Sequence, residues 1–553
     1  MFSTHWTIYQ GIRAVSRTLS STSANYDQGI DMEEYHQDHS GAGEDFLIVP
    51  QSPRDSSPIP ISGSNLRQVV TFDTPPDTPP LSKIHSVSSL PALAEPPTKF
   101  QYRDVPNGKI TYQKQLPPLP IALSVSRANT HATIPSTQIP QVSAVITTIA
   151  TGVPPTSRSQ AEVASQVAEL YGPSSPLYSK IPKLYANTRI ATRHKAVDPL
   201  DPNFDRAMPI RQRMDLFLSQ AGPLCVDVAR RAVSSPTSGI ATPKEDIGLL
   251  VVVTSTGFVA PGVDVAIVKG LGLSRGVKRV VVNFMGCAAA INGIRTAADY
   301  AISQQYQSLG TGKAAKKALM VCVELSSVNG VFEEQVNDVI ISSLFGDGCA
   351  ALIIGAVDTA AADGGRLLPG QIVLGPSFSH LVDETVPPSF GSDGEKCPDG
   401  MIDTSAGIIL GVNSNGITCN LSPKLPSYIR AAVGPVLEST LAENGGLIKE
   451  DIRHWAIHPG GPKIIEESLA SLGLDDAVAS TSWDVLRDYG NMLSVSLPFV
   501  LERMVQSGLE TSKEEQQQQD KCKNQTQSTS KGIAFSFGPG ITIEGVLFDI
   551  VGF

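Results

Sequence analysis

Val280-Val-Val-Asn-Phe-Met-Gly-Cys-Ala-Ala-Ala-Ile-Asn-Gly-Ile-Arg295 is the stretch whose reading decides the fold. It opens as a β-branched apolar run, which reads as a buried strand. Met285-Gly286 breaks that run, and Ala288 to Gln304 then carries Ala, Ile and Arg at helical spacing. Cys287 therefore falls at a strand-to-helix turn. Unpaired N–H groups and the macrodipole at a helix N-terminus favour an anion, so the thiolate is expected to be promoted there. The bend also presents the side chain outward, as a nucleophile elbow presents its serine. Against this stands the commoner use of a free cysteine as a small core hydrophobe.

Upstream, residues 1–138 read as a disordered arm. Of the 41 prolines, 17 fall in the first 140 residues, and no long periodic apolar segment accompanies them. Such a segment cannot bury enough surface to offset its ordering entropy. Residues 1–25 hold Arg13, Arg17 and many hydroxyls but no acid, a weak likeness to a mitochondrial transit peptide. Order is expected from Val142-Ser-Ala-Val-Ile-Thr-Thr-Ile-Ala150, a strand, followed by a helix from Ser159 to Tyr171. Ile210 to Val233 reads as helix with a break at Pro223. The cluster containing Arg189, Arg193 and Lys195 is either an ordinary solvated face or a grip for phosphates.

Downstream, the pattern recurs. Trp455-Ala-Ile-His458 reads as a strand ending in Pro459-Gly-Gly-Pro462, and Tyr489-Gly-Asn491 opens a helix as Met285-Gly-Cys287 does. The strand beginning at Gly532 echoes the one at Ala318, and Ile541 to Ile550 echoes the one near Gly346. Two related α/β halves are expected, 139–375 and 376–553, with a Gln-rich surface loop at 510–531. Cys287, His458 and Asn491 each sit at an element end that such halves can bring together. A histidine beside a cysteine supports thiolate chemistry, and His458 with Asn491 can donate two hydrogen bonds to one carbonyl oxygen. Taken singly, His458 also reads as a helix cap and Asn491 as an N-cap.

A formal net charge of −10 without a dense basic tract argues against nucleic acid as a partner. No apolar run approaches the roughly 20 residues of a membrane span. The seven cysteines (Cys225, Cys287, Cys322, Cys349, Cys397, Cys419, Cys522) form no CxxC pair, which suits a reducing compartment and argues against a zinc site. A cytoplasmic protein is expected.

Gly286-Cys-Ala-Ala-Ala290, Leu344-Phe-Gly-Asp-Gly348, His458-Pro-Gly-Gly-Pro462, Tyr489-Gly-Asn-Met492 and Gly538-Pro-Gly-Ile-Thr-Ile-Glu544 occur in this order. The set resembles the type III polyketide synthases, the chalcone synthase-like enzymes, over roughly residues 140 to 553. The resemblance implies a thiolase-like layered αβαβα fold and a homodimer. It implies Cys287 as the acyl-carrying nucleophile, and His458 with Asn491 as the pair that drives decarboxylation of malonyl-CoA. An acyl-CoA starter would be extended by malonyl units and cyclised to pyrone, resorcinol or chalcone-type products, with no metal or redox cofactor. Phe345 would correspond to the aromatic gatekeeper, Ser255 and Asn329 to cavity-lining positions, and Arg189, Arg193 and Lys195 to a CoA-binding segment. Where the family carries a second gatekeeper phenylalanine this chain has Cys419, which predicts more room and a long aliphatic starter. A ketoacyl synthase III-like enzyme would share the Cys/His/Asn trio; the Gly538–Glu544 loop favours the polyketide synthase.

Overall fold

The computed structural model describes residues 141–234, 241–309, 311–359, 367–382, 404–518 and 529–552, with backbone only for 510–518. The arm expected at 1–138, with its transit-like start, lies outside the described residues.

Thirteen strands are described: β1 Val142–Gly152, β2 Thr156–Ser159, β3 Thr192–Lys195, β4 Ile247–Thr254, β5 Lys278–Asn283, β6 Lys317–Leu325, β7 Asp347–Asp358, β8 Ile372–Leu381, β9 Ile408–Asn413, β10 Gly416–Leu421, β11 His454–Ile457, β12 Thr529–Gly538 and β13 Thr542–Val551. Nine form one mixed sheet in the order β11-β12-β13-β8-β1-β7-β6-β4-β5. The two halves meet where β1 pairs antiparallel with β8, Val145 opposite Val373. Outward from that seam the pairings repeat. β1–β7 and β8–β13 are antiparallel, β7–β6 and β13–β12 antiparallel, β6–β4 and β12–β11 parallel.

Strand alternation explains the layers. Leu249, Val251 and Val253 of β4 face a central layer containing the helices Ala289–Ser308 and Ser496–Gln518, together with Ala456 of β11 and Ala534 of β12. Leu250 and Val252 face the opposite way, onto the helices Ile210–Ser234 and Val263–Leu271. In the second half Trp455, Ile457, Ile533 and Phe535 face outward onto Leu425–Glu443 and Pro462–Leu472. Helices therefore cover both faces of each half-sheet, and the two central helices belong to both.

A short internal repeat marks the equivalence. Lys244-Glu-Asp-Ile247 and Lys449-Glu-Asp-Ile452 each form a 3₁₀ turn leading toward β4 and β11. The helices that follow those strands both end at a left-handed Leu-Gly-Leu cap, at Gly272 (φ 62°, ψ 39°) and Gly473 (φ 64°, ψ 36°).

Four expectations are corrected. β5 is not buried: it ends the sheet, paired there only with β4, and Val280 and Val281 are 38% and 51% exposed. The helix Ile210–Ser234 runs through Pro223 without a break, the packing of Phe217, Ala221, Cys225 and Val228 outweighing one lost backbone bond. β8 spans the boundary drawn at 375, so the second half begins before Ile372. Finally, the helix from Ser496 reaches Gln518 and β12 begins at Thr529. The ends of the stretch read as a loop are thus regular structure, consistent with the helix propensity of Lys, Glu and Gln. Residues 519–528 lie outside the described residues.

Candidate active site

Cys287 lies in the 3₁₀ turn Gly286–Ala288 between β5 and the helix Ala289–Ser308. The bend needs two left-handed residues, Phe284 (φ 58°) and Gly286 (φ 59°). A Cβ on Gly286 would lie 3.1 Å from Pro539 Cδ, so both the turn and the approach of the Gly538–Gly540 loop call for glycine. The Gly286 N–H donates to Ser255 Oγ at 3.1 Å and fixes the turn against the end of β4.

Asn491 arrives from the other half. Its N–H donates to Leu344 O at 2.9 Å, and its carbonyl accepts from Gly346 N–H at 3.0 Å. The two motifs Leu344–Gly348 and Tyr489–Met492 therefore interlock through backbone, and a Cβ on Gly346 would meet Tyr489 O at 2.3 Å. The Asn491 amide has its orientation set: Nδ2 donates to Gly460 O at 3.1 Å and Oδ1 accepts from Leu493 N–H at 2.8 Å. So held, Nδ2 and Oδ1 lie 3.9 and 4.0 Å from Cys287 Sγ. His458 follows β11, its N–H donating to Phe535 O at 3.0 Å. A Cβ on Gly460 would come within 3.3 Å of the imidazole, so the Gly460 carbonyl that binds Asn491 belongs to the same loop that packs on the ring. Among the described residues neither ring nitrogen of the buried His458 has a hydrogen-bond partner. Asn491 thus lies beside Cys287, and the loop that accepts from its amide is the one that packs on the His458 ring.

Burial works against the expected thiolate. Cys287 is half-buried by surface yet densely surrounded, and desolvation pushes its thiol well above the ordinary range. Burial lowers His458 to about 3. Desolvation of both groups thus works against the charged thiolate–imidazolium pair, opposing the field of a helix that starts two residues later.

A cavity of about 770 Å³ adjoins the trio. Ser255, Asn329, Phe345, Cys419, Arg193 and Lys195 all line it, as does Leu493. The trio lies behind this lining: Ser255 holds the Cys287 turn, Phe345 is bridged to Asn491, and Leu493 holds the Asn491 amide. Cys419 on β10 is buried, and desolvation pushes its thiol up to about 12. Asn329 acts as a brace, its Nδ2 donating to Thr256 O at 2.9 Å and its Oδ1 accepting from Ile417 N–H at 3.2 Å.

The basic cluster does not converge as a phosphate grip. Arg189 is outside the cavity lining; it pairs with Glu466 at 2.9 Å and stacks over Trp483 at 4.4 Å. Arg193 is buried, and its Nη1 donates to Ser342 O at 2.5 Å and Phe345 O at 2.7 Å, holding the turn that carries Phe345. Lys195 is buried two residues along. Arg193 and Lys195 share the buried face of β3 while exposed Arg189 precedes the strand, a separation invisible in a count of charges.

One buried acid escaped the sequence reading. Glu324 is fully buried at the end of β6 and accepts from Ser255 N–H at 2.9 Å, Thr256 Oγ at 2.8 Å and Ser494 Oγ at 2.5 Å. Burial nonetheless raises its carboxyl to about 7. The signal was a lone charge closing the apolar run Ala318–Leu325.

Layered fold and Cys/His/Asn geometry together define a condensing enzyme of the thiolase type, and comparison with known proteins narrows this. Residues 133–358 match the N-terminal domain of chalcone and stilbene synthases, and residues 399–552 match the C-terminal domain. The chain belongs to this family, the type III polyketide synthases, acyl-transferring condensing enzymes. It is 50% identical over 416 residues to the "Alpha-pyrone synthesis polyketide synthase-like Pks18" of Mycobacterium tuberculosis, covering 74% of this chain and 92% of that one. It is 26% identical to the 3,5-dihydroxyphenylacetyl-CoA synthase of Amycolatopsis balhimycina, over 72% and 91% of the two chains. Among solved structures it is similar to PKS-I of the brown alga Ectocarpus siliculosus, with a TM-score of 0.61 and 35% identity over 75% of this chain and 100% of that one. No helix among the described residues is long and apolar enough to cross a membrane.

Proposed function

We propose that this synthase loads a long-chain acyl-CoA on Cys287, extends it with malonyl-CoA and releases an alkyl α-pyrone. The observation that carries the reading is the oriented Asn491 amide beside Cys287 Sγ, with an unpartnered His458 imidazole in the same loop system. In the first step the Cys287 sulfur attacks the thioester carbonyl while a ring nitrogen of neutral His458 takes the thiol proton. The C–S bond to CoA breaks, and the leaving thiolate takes that proton. Malonyl-CoA then loses CO₂, and its enolate oxygen accepts hydrogen bonds from Asn491 Nδ2–H and the His458 ring N–H. The enolate carbon attacks the Cys287 thioester, the C–S bond to Cys287 breaks to free its thiolate, and the lengthened chain leaves on the incoming CoA. That thiolate takes the chain back for a second extension. An enol oxygen then attacks the thioester carbonyl, closing the pyrone and expelling CoA thiolate, which takes the enol proton. This chemistry needs CoA thioesters and no resident metal or redox cofactor.

Starter length rests on the cavity. Its volume of about 770 Å³ lies in the range of roughly 300–1,000 Å³ that accommodates sizeable ligands, and Cys419 leaves it wider than a phenylalanine would. The pyrone outcome is favoured over resorcinol or chalcone-type products by the kinship to an enzyme named for α-pyrone synthesis. The exposed valines of edge strand β5, with Phe258 64% exposed nearby, support a homodimer, and the cysteines that are free among the described residues suit the cytoplasm.

The test is product analysis with the purified full chain, malonyl-CoA, and acetyl-, hexanoyl-, lauroyl-, palmitoyl- or coumaroyl-CoA. Alkyl pyrones formed fastest from lauroyl or palmitoyl starters are expected. A preference for acetyl- or coumaroyl-CoA would overturn the starter assignment.

A further inference from the structure

β9 and β10 form a hairpin apart from the nine-stranded sheet, and residues of both strands line the cavity. Cys419 of β10 pairs across the hairpin with Leu410. Leu410 reaches the nucleophile turn, its Cδ1 standing 3.6 Å from where a Cβ on Gly286 would lie. Among the described residues β10 has β9 on one edge and no strand on the other. Residues two apart on a strand send N–H and C=O to the same edge, and Ile417 and Cys419 are so placed on β10. Backbone groups on an edge without a strand need partners from elsewhere.

Two asparagines supply them. Asn329 Oδ1 accepts from Ile417 N–H at 3.2 Å, and Asn337 Nδ2 donates to Cys419 O at 2.8 Å. Side-chain amides thus stand where a neighbouring strand would offer its carbonyl and N–H. Asn337 Nδ2 also donates to Asn420 Oδ1 at 3.0 Å, so both its hydrogens serve β10. The amide cannot be reversed, because Cys419 O only accepts. Its own Oδ1 is buried and has no partner among the described residues. An orphaned acceptor is costly, which marks this amide as held for the bonds of its nitrogen.

Asn337 belongs to the first turn of the helix Val336–Leu344, and Phe345 caps the other end of that helix. Val336, Asn337, Ile341 and Phe345 all line the cavity. Among the described residues no hydrogen bond other than these two joins that helix to the hairpin. The wall that carries Phe345 and the wall that carries Cys419 are therefore tied at Asn337.

We propose that Asn337 is a specificity-determining residue: by holding Cys419 O it sets the bore of the cavity beside Cys419, and so the length of acyl chain that is extended. It acts through the position of β10, away from the reacting atoms. Discrimination by length needs a wall that does not yield, since a methylene too many must either displace that wall or stay in water. Once β10 is released, starters of neighbouring length become more alike. This inference rests on the reading of the cavity as the acyl site, and one arm of its test does not.

In that arm, hydrogen exchange of the full chain is followed by mass spectrometry without any CoA ester. Asn337→Asp keeps the volume of the side chain and replaces both donors with an acceptor. The peptide spanning β10 should exchange about fivefold faster in Asn337→Asp than in wild type, the size of one lost hydrogen bond. Unchanged exchange would overturn the clamp. In the other arm, hexanoyl-, lauroyl- and palmitoyl-CoA compete for malonyl-CoA. The kcat/KM ratio of the best starter to its neighbours should fall about fivefold in Asn337→Asp and Asn337→Ala. It should hold in Asn420→Ala, where the bond to Cys419 O remains. A uniform loss over all starters with the ratio intact would reduce Asn337 to a structural role and overturn the proposal. So would a ratio lost in Asn337→Ala but kept in Asn337→Asp, which would assign the effect to volume. Faster β10 exchange in Asn337→Asp, with a wild type that extends acetyl- or coumaroyl-CoA best, would sink the long-chain reading and leave the clamp standing.

Discussion

The two halves share strand order, flanking helices, a Lys-Glu-Asp-Ile turn and a Leu-Gly-Leu cap, yet they enter the active site differently. In the first half a strand, β5, leads to the reactive turn and Cys287. In the second half the corresponding place holds the helix Ser480–Tyr489, which leads to Asn491. Both turns then pass through a 3₁₀ segment into a central helix, and each carries one non-glycine residue in the left-handed region, Phe284 and Leu493. The first half supplies the sulfur; the second supplies an amide and an imidazole. One scaffold used twice can thus bring a sulfur from one half beside an amide from the other, with a left-handed residue in each turn.

The sharpest way to break this comparison is Cys287→Ala. Condensation should fall to below roughly a thousandth of wild type. Mass spectrometry after incubation with lauroyl-CoA should lose its acyl adduct, and an adduct surviving on Cys322 or Cys349 would refute the division of labour. The second half's share is tested by Asn491→Ala. Malonyl-CoA decarboxylation, followed as CO₂ release, should drop about 10²–10³-fold, and acylation of Cys287 far less. Equal losses in both steps would mean that Asn491 only shapes the turn.

Cys419→Phe sharpens the picture of the shared cavity. Each buried CH₂ contributes about 0.8 kcal/mol, so shortening the space by a few methylenes should shift kcat/KM from lauroyl toward acetyl starters by tens of fold. An unchanged preference, read from competing starters, would place the acyl chain elsewhere.

The halves also bury titratable groups with opposite pH behaviour. Glu324 has its folded pKa raised from 4.5 to about 7, so its contribution to stability is present below 4.5 and lost as pH rises through 7. His458 has its folded pKa lowered from 6.5 to about 3, so its contribution is present above 6.5 and lost as pH falls through 3. Melting temperatures measured between pH 4.5 and 8 should fall less steeply with rising pH in Glu324→Gln than in wild type. Parallel curves would show that the carboxyl titrates normally. The smallest effect concerns the repeated caps. Gly272→Ala and Gly473→Ala should each cost about 1 kcal/mol in chemical denaturation, because both need positive φ. Clearly unequal costs would argue that the two caps are not equivalent in energy.

Residue patterns alone determined a good deal. Alternating and β-branched runs gave the strands, and the break at Met285-Gly286 gave the turn. Five ordered motifs pointed to the family and to Cys287, His458 and Asn491. Local backbone preference and apolar periodicity act over a few residues, so they are legible one segment at a time. Tertiary structure decided what depends on surroundings. It left the valines of β5 at a sheet edge, carried the helix through Pro223, and placed Arg189 on Trp483 while β3 turned Arg193 and Lys195 inward. It also pushed the Cys287 pKa up, since a pKa is fixed by desolvation and by neighbours distant in the chain, and no string of residue types records how much water each one loses.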